Sequence, residues 1–317
     1  MKKIGLFGFG CVARGFYEGL QATKSDEVSI KKICIQDPSK ERGLPAHLYT
    51  TEADDILLDP EIDLVIELID QAEPALDIVS TSLRRGVPTI SANKKMIAEN
   101  LEALLQIMEE TQTPFRYEGA VGGSIPILES LENYYSNQPI HQIRAILNGS
   151  TNYILTKMKF EGISFDMALK QAQELGFAET DPSLDVEGHD AMFKTIILAH
   201  QAFGQVLTPA DVDVQGIDQL SPYLLQQGRK EYSKVKLIAT LRMEGQTLLA
   251  KVEPQVLEHS DLLYPIDNEY NAMEIDGAFS GKQLLVGKGA GCLPTGSAVL
   301  SDMNIILQGM EAGVRVE

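Results

Sequence analysis

The loop Gly8-Phe9-Gly10-Cys11-Val12-Ala13 restricts the fold of this chain more than any other feature. It follows a short apolar run, KIGLFG, and precedes a helical pattern, CVARGFYEGLQ. A strand, a glycine-rich turn and a helix in this order match the G-x-G-x-x-G/A fingerprint of dinucleotide binding. The first glycine permits the turn, the second admits a pyrophosphate, and a small residue lets the helix approach the sheet. A merely tight turn is the alternative, but the context favours a cofactor contact at Gly8, Gly10, Cys11, Val12 and Ala13.

The wider pattern predicts two domains. Up to about residue 117, apolar strand-like runs alternate with helical patterns, which is typical of βαβ units and a parallel sheet. After residue 126, helical patterns precede four strand-like runs, at 234–243, 246–257, 269–277 and 282–289. We therefore predict an α/β fold, with a Rossmann-type domain at 1–125 and an α+β domain at 126–293. A last helix, starting after a proline and falling within 294–317, is expected to complete the first domain.

Composition excludes several classes of partner. The net charge of −18 disfavours nucleic acid and anionic membranes, since no concentrated basic patch offsets it. No apolar run approaches the length of a membrane span. The three cysteines, Cys11, Cys34 and Cys292, lack metal-like spacing, and their odd number argues against a disulfide framework. We interpret them as packing residues and expect a cytoplasmic protein.

The end of the second predicted strand holds candidates for reading the cofactor's ribose. Asp37 stands where such proteins place an acidic residue that binds the 2′-hydroxyl of NAD. Lys40, with Ser39 and Arg42, could instead hold the 2′-phosphate of NADP. A solvated polar turn is an equally good interpretation of each side chain, so the residues leave the choice between NAD and NADP open.

The segment DVEGHDAMFK, at 185–194, carries unusual charge just before the apolar run TIILA. On a helix, Asp190 and Lys194 are four residues apart and share one face at the edge of the apolar stripe. Such a pair is costly to bury unless it is used, although a purely structural ion pair is the alternative. A carbonyl that receives hydride becomes an alkoxide, and a desolvated lysine is a suitable acid to protonate it. Gly176, Glu179 and Asp185 precede the pair, and carboxylates there would suit a substrate with an ammonium group.

A second candidate acid is Lys94, in the segment SANKK at 91–95. It follows a short predicted parallel strand, at the sheet edge where such folds bind ligands. The alternative is an exposed lysine at a helix start, where the helix dipole disfavours it.

Five ordered segments resemble homoserine dehydrogenases. They are SANKK, EGAVGGSIPIL at 118–128, ILNGSTNYILTKM at 146–158, AQELGFAETDPSLDVEGHDAMFK at 172–194 and GKGAGCLPTGSAVLSDM at 287–303. The resemblance implies an NAD(P)-dependent interconversion of L-aspartate 4-semialdehyde and L-homoserine, on the route to threonine and methionine. It also implies a homodimer formed through the sheet of the second domain.

The resemblance assigns roles to individual positions. It implies that Lys94 and Lys194 are catalytic, that Glu179 and Asp190 are acids that bind the substrate with Gly176 beside them, and that Gly291 lies in a turn that approaches the cofactor. From the residues themselves we also expect Asp190 to assist catalysis as the partner of Lys194, Asp185 to bind the substrate and Lys94 to contact the cofactor. A sodium-type cation site would use oxygens of Glu118, Val121, Gly123 and Ile125.

Two positions depart from the family pattern. Gln36 stands where many relatives have an arginine, which weakens the case for NADP. Asp70-Gln71 replaces a common glycine pair near the cofactor, so a catalytically silent dinucleotide binder is one alternative function. Another two-domain Rossmann dehydrogenase is the second, but Lys94 is not followed by the proline typical of the sugar dehydrogenases.

Overall fold

The computed structural model describes residues 1–23 and 26–312, and it divides the chain into two compact units. The first unit contains Met1–Ser124 and the chain from Gly291 onward, and the second contains Ile125–Ala290. Residues 313–317, the end of the predicted C-terminal segment, lie outside the described residues. Among the described residues, no helix is long and apolar enough to cross a membrane.

Strands and helices alternate regularly along the chain in the first unit and less regularly in the second. The first unit begins with β1 (Lys2–Phe7), α1 (Cys11–Thr23), β2 (Val28–Cys34), β3 (Tyr49–Thr50), α2 (Asp54–Leu57), β4 (Leu64–Glu67), α3 (Ala72–Arg84), β5 (Thr89–Ser91), α4 (Lys94–Glu99), α5 (Leu101–Thr111) and β6 (Phe115–Arg116). The second contains α6 (Ile127–Asn133), β7 (Ile140–Ile146), α7 (Gly149–Phe160), α8 (Phe165–Glu174), α9 (Ser183–Val186), α10 (His189–Phe203), β8 (Asp213–Val214), α11 (Pro222–Gly228), β9 (Ser233–Glu244), β10 (Thr247–Glu258), β11 (Tyr270–Gly277) and β12 (Gly281–Lys288). The chain then returns to the first unit as α12 (Cys292–Ala312).

The sheet of the first unit has the strand order β3-β2-β1-β4-β5-β6, and its described pairs are all parallel. Its central strands are buried on both faces, which is why they appear in the sequence as continuous apolar runs. Fully buried core residues include Ile4, Leu6, Ile33, Leu64 and Ile66. The predicted Rossmann-type sheet is confirmed.

Helix α12 completes the first unit by packing tightly on α1. A Cβ atom added at Gly15 would lie 1.9 Å from the carbonyl oxygen of Cys292, and one added at Gly296 would lie 2.4 Å from the backbone nitrogen of Phe16. The two helices can approach this closely only because both positions are glycine. The helix begins three residues before the predicted Thr295, since a proline in the first turn removes no intrahelical hydrogen bond.

The interpretation of the cysteines as packing residues is wrong for two of the three. Cys11 and Cys292 form a disulfide, with their Cα atoms 4.7 Å apart. They stand at the first residues of α1 and α12, and only the packing of these helices brings them together. Cysteine count and spacing carry no information about a contact across 281 residues of sequence. Cys34 is free and half-buried, and it packs against an apolar cluster that includes Phe7 and Ile56.

The second unit contains a mixed sheet with the order β12-β11-β7-β9-β10-β8. Its described pairs are antiparallel except β10 with β8, which confirms the predicted α+β domain. The hairpin of β9 and β10 turns at Gly245, whose φ of +66° suits glycine.

Two helix boundaries differ from the predicted ones. The sequence pattern at 95–111 predicts one long helix, but the structure interrupts it at Asn100, where φ is −129°, and forms α4 and α5. The pattern around DVEGHDAMFK predicts a helix start near Glu187, but α10 begins at His189, because Gly188 has a left-handed φ of +88°. These interruptions depend on backbone angles that hydrophobic periodicity does not report.

Reduction of the Cys11–Cys292 disulfide should lower the melting temperature. The bond joins residues 281 apart, and such a cross-link restricts the unfolded chain, typically by about 2–4 kcal/mol. Differential scanning calorimetry with and without a reductant measures the effect. Cys34→Ala should keep the response to reductant and Cys11→Ser should lose it, whereas an unchanged wild-type transition would contradict the role of the bond.

Candidate active site

A buried ion pair at the start of α10 is the centre of the candidate site in the second unit. The ammonium group of Lys194 lies 2.7 Å from Oδ2 of Asp190 and donates a hydrogen bond of 2.7 Å to the carbonyl oxygen of Leu147. Asp190 and Lys194 are only 5% and 6% exposed. The charge that the sequence places at the start of this apolar helix is therefore carried into the interior, where it is paired.

Asn148 connects this pair to a second carboxylate. Its amide nitrogen donates to Oδ2 of Asp190 at 2.9 Å and to Oδ1 of Asp185 at 2.7 Å. Its amide oxygen accepts from the backbone nitrogen of Thr151 at 2.8 Å and so caps α7. One buried side chain thus ends β7, starts α7 and bridges two acids. The sequence analysis missed Asn148, although an asparagine between a strand and a helix pattern is a usable N-cap signal.

The surroundings of Asp185 shift the pKa of its carboxyl group. Burial raises the pKa of this carboxyl group, and the charge of Asp190 raises it further. The hydrogen bond from Asn148 lowers the pKa of Asp185, because it stabilises the ionised form. The amide of Asn148 therefore offsets the repulsion between two neighbouring carboxylates.

The remaining predicted substrate residues lie on the segment between α8 and α9. Gly176 follows α8 with a left-handed φ of +77°, as a helix end often requires. Glu179 is exposed, and its carbonyl oxygen accepts a hydrogen bond of 3.0 Å from Gln173. In the part of the chain that the structure describes, the Glu179 side chain is not brought into the network of Asp185, Asn148, Asp190 and Lys194.

The fingerprint loop has the geometry that its glycines predict. Gly8 has a φ of +84°, and a Cβ atom there would lie 2.6 Å from the carbonyl oxygen of Leu68. Around a Cβ atom built at Gly10 the space is open to 4 Å, so a ligand can approach this backbone. Ala13 is fully buried, Val12 is half-buried, and Gly291 has a φ of +126° just before α12. Two helix N-termini, those of α1 and α12, are joined here by Cys11 and Cys292, and both attract anions.

Beyond β2, Asp37 is ordered by its own turn. Its Oδ1 accepts hydrogen bonds from the backbone nitrogen and the hydroxyl of Ser39, at 2.9 and 2.6 Å, and these bonds lower its pKa. Lys40 is exposed, and its carbonyl oxygen accepts from Arg42 at 2.7 Å. A surface cavity of about 320 Å³ lies nearby, and its lining residues include Phe9, Arg14, Tyr17 and Arg42.

Lys94 begins α4 directly after the capping residue Asn93, whose side chain accepts from the backbone nitrogen of Met96 at 3.0 Å. Lys94 is half-buried and belongs to the first unit, whereas Lys194 belongs to the second.

The segment predicted to hold a cation has an irregular backbone. Glu118 is 3% exposed and begins a short 3₁₀ turn, and its backbone nitrogen donates to Asp302 at 2.8 Å. Val121 is extended and fully buried, and Gly122 and Gly123 are consecutive left-handed residues. Ile125 is 2% exposed.

Comparisons with known proteins relate the whole chain to one enzyme family. A family model described as homoserine dehydrogenase matches residues 126–304, and one described as homoserine dehydrogenase, NAD binding domain matches residues 8–118. The Bacillus subtilis homoserine dehydrogenase is 35% identical, over 98% of this chain and 74% of its own length. The crystal structure of a Thiobacillus denitrificans homoserine dehydrogenase, 31% identical, matches with a TM-score of 0.94 over 98% of this chain and 74% of that one.

A hyperthermophilic archaeal homoserine dehydrogenase mutant, solved in complex with NADPH, is also similar. It is 26% identical, with a TM-score of 0.82 over 97% of this chain and 98% of that one. With both family models matched in order along the sequence, the chain belongs to the homoserine dehydrogenase family and is an NAD(P)-dependent oxidoreductase.

Proposed function

We propose that the chain interconverts L-aspartate 4-semialdehyde and L-homoserine with Lys194 as the group that exchanges a proton with the substrate oxygen. The observation that carries this proposal is the burial of Lys194 between Asp190 and the Leu147 carbonyl oxygen. A nicotinamide dinucleotide supplies the hydride when it is bound. In the reduction direction the aldehyde oxygen gains negative charge, which a neighbouring ammonium group stabilises and then protonates.

The carboxylates have a complementary role. Asp190 holds the ammonium group of Lys194 in place, and Asn148 aligns Asp190 with Asp185. An amino-acid substrate carries its own ammonium group, for which Asp185 and the exposed Glu179 are the proposed acceptors. Gly176 gives the Glu179 segment its turn. Lys94 is proposed to contact the cofactor bound by the first unit, to which it belongs.

The cofactor is proposed to bind on the fingerprint loop, with its pyrophosphate at the N-terminus of α1, beside Gly291. Asp37 is ionised in its Ser39 turn and suits the ribose 2′-hydroxyl of NAD. Its negative charge opposes a 2′-phosphate, which Lys40 would only partly offset from an exposed position. We therefore infer a preference for NAD over NADP.

The two further properties implied by the family are proposed as well. A homodimer through the second sheet is supported by exposed apolar side chains on or beside β11 and β12, namely Tyr270, Phe279 and Val286. A monovalent cation fits the segment of consecutive left-handed glycines next to the buried Glu118 carboxylate, since hard cations prefer oxygen ligands. The residues that would hold it are Glu118, Val121, Gly123 and Ile125.

The reaction is tested by following reduction of NAD⁺, and separately of NADP⁺, with L-homoserine at alkaline pH. We expect turnover with both and a higher kcat/KM for NAD⁺.

Lys194→Ala should lower kcat by about 10²–10⁴-fold, the range for loss of a general acid or base, while dinucleotide binding persists. Lys170→Ala is the matched control, because it removes an i,i+4 ion pair that is fully on the surface. Equal activity of the two variants would remove Lys194 from the mechanism.

Asn148→Ala should lower kcat by about tenfold or more. A hydrogen bond to a charged group is worth about 1.5–3 kcal/mol, and the variant loses two of them. The dissociation constant of the dinucleotide, measured by fluorescence titration, should stay unchanged. Ser164→Ala is the control, since it removes the same kind of helix cap from α8, and within residues 1–23 and 26–312 no carboxylate bonds to this serine. A similar loss of kcat in both variants would reduce Asn148 to a cap.

Light scattering tests the dimer. The mass should be twice the 34.8 kDa of one chain, and Val286→Lys should shift it toward the monomer because it places a charge on the proposed contact face. A monomeric mass of the wild type would contradict the dimer.

Thermal melting tests the cation site. The melting temperature should rise when sodium chloride replaces choline chloride at equal ionic strength. Equal melting temperatures in the two salts would contradict the cation site.

A further inference from the structure

Two buried polar residues face each other where β4 and β5 end. Glu67 and Ser91 are the last residues of these parallel strands, and they are paired in register. Both are fully buried. A carboxyl group removed from water needs hydrogen-bond donors, so this pair is costly unless its surroundings supply them.

The donors come from the two segments that leave the strands. The hydroxyl of Ser91 donates to Oε2 of Glu67 at 2.5 Å, and the backbone nitrogen of Ile69 donates to Oε1 at 2.6 Å. The backbone nitrogen of Asn93 donates to Ser91 Oγ at 3.0 Å. The side chain of Asn93 returns to the carbonyl oxygen of Ile69 at 3.1 Å, which closes a ring of Glu67, Ile69, Asn93 and Ser91.

This ring borders two parts of the candidate cofactor site within the first unit. On one side, Asn93 caps α4 and is followed by Lys94, so the ring determines where that helix begins. On the other side, Leu68 donates its backbone N–H to the carbonyl oxygen of Phe7, and its own carbonyl oxygen lies against Gly8. The residues between β4 and α3 therefore touch the fingerprint loop and the Lys94 turn at once.

We propose that Glu67 is a positioning residue: its carboxylate ties the segment after β4 to the segment after β5 and so fixes where Lys94 is presented to the cofactor. This inference rests on the cofactor-side role proposed above for Lys94. Glu67 itself touches neither substrate nor cofactor in this assignment.

The direction of the hydrogen bonds makes the ring depend on the charge of Glu67. Both carboxylate oxygens accept, and the Ser91 hydroxyl donates to Oε2 while its oxygen accepts from Asn93. A proton on Oε2 would take the place of this donated hydrogen, and the Ser91 hydroxyl would have to turn away and accept from Glu67 as well as from Asn93. The set of hydrogen bonds in which both carboxylate oxygens accept therefore belongs to the ionised form.

Burial brings the pKa of the Glu67 carboxyl group close to neutral pH. It raises the pKa of Glu67 to about 7, against the lowering effect of the two hydrogen bonds, and the charge of Asp70 raises it further. The adjoining elements also carry Glu73 in the first turn of α3, and Lys94 and Lys95 in the first turn of α4. Asp70 is exposed on the segment that the ring holds, and its charge therefore shifts the pH at which Glu67 becomes protonated and the hydrogen bonds of the ring change.

The pH profile of kcat/KM for the dinucleotide tests the proposal. In the wild type, kcat/KM should fall by about tenfold per pH unit below about 7, as Glu67 becomes protonated. Glu67→Gln, which has the same shape but cannot ionise, should remove this acid limb and give a low value at every pH. Asp70→Asn should move the limb to lower pH, because it removes the charge that raises the pKa of Glu67, and this change is at an exposed residue.

Glu73→Gln is the matched control, because it also removes an exposed carboxylate at the start of α3 and should leave the profile unchanged. An acid limb that persists unaltered in Glu67→Gln, or that ignores Asp70→Asn, would overturn the inference. Absence of homoserine turnover in the wild type at every pH would instead overturn the proposed function. In that event the dinucleotide dissociation constant, measured over the same pH range in the same variants, tests the ring: an equal pH dependence in the wild type and Glu67→Gln refutes it.

Discussion

The buried ion pair of Asp190 and Lys194 is the interaction on which the second unit's candidate site depends. Two opposite charges withdrawn from water must be hydrogen-bonded, and removal of one partner from such a pair costs about 3–5 kcal/mol. The requirement is met by the carbonyl oxygen at the end of β7 and by Asn148 at the start of α7. The end of β7, the starts of α7 and α10 and the carboxylates of Asp185 and Asp190 are therefore held in one arrangement, because the buried charges must be paired.

A second buried lysine of the same unit, Lys236, has a structural role. Lys236 is 1% exposed, and its ammonium group donates to Oδ1 of Asn152, the carbonyl oxygen of Ile266 and Oδ1 of Asp267, at 2.8, 2.5 and 2.9 Å. Burial lowers its pKa to about 8, although Asp267 opposes the shift. All three N–H donors have acceptors, so Lys236 serves to fasten α7 and β9 to the chain before β11. A lowered lysine pKa is thus no sign of catalysis by itself.

In the first unit, the corresponding constraint is the meeting of strand ends at one edge of a parallel sheet. Glu67, Ser91 and the residues that follow them must form hydrogen bonds with one another there, since the Glu67 and Ser91 side chains are fully buried. Asp70, which departs from the family pattern, has a physical effect at this point, because its charge raises the pKa of Glu67. The exposed Asp70 thus acts on the buried Glu67 at the end of β4.

The local sequence pattern was sufficient to predict much of the fold and part of the candidate site. The apolar runs predicted β1 and β4 because most residues of these strands are buried on both faces, and the i,i+4 spacing predicted that Asp190 and Lys194 share a helix face. The same reasoning missed the short strands β3 and β8, which have two residues each and no periodicity. It overlooked Asn148 and Glu67, whose importance lies in partners 42 and 24 residues away.

The sequence by itself determined the strand–glycine loop–helix start, the alternation that makes a parallel sheet and the placement of charge at the head of α10, since each depends on neighbours within a few residues. Only the tertiary structure decided that Cys11 meets Cys292, that Glu67 stands opposite Ser91 and that Asn148 reaches two carboxylates. Those contacts follow from strand register and helix packing, which join positions far apart in the chain and leave no periodic trace in it.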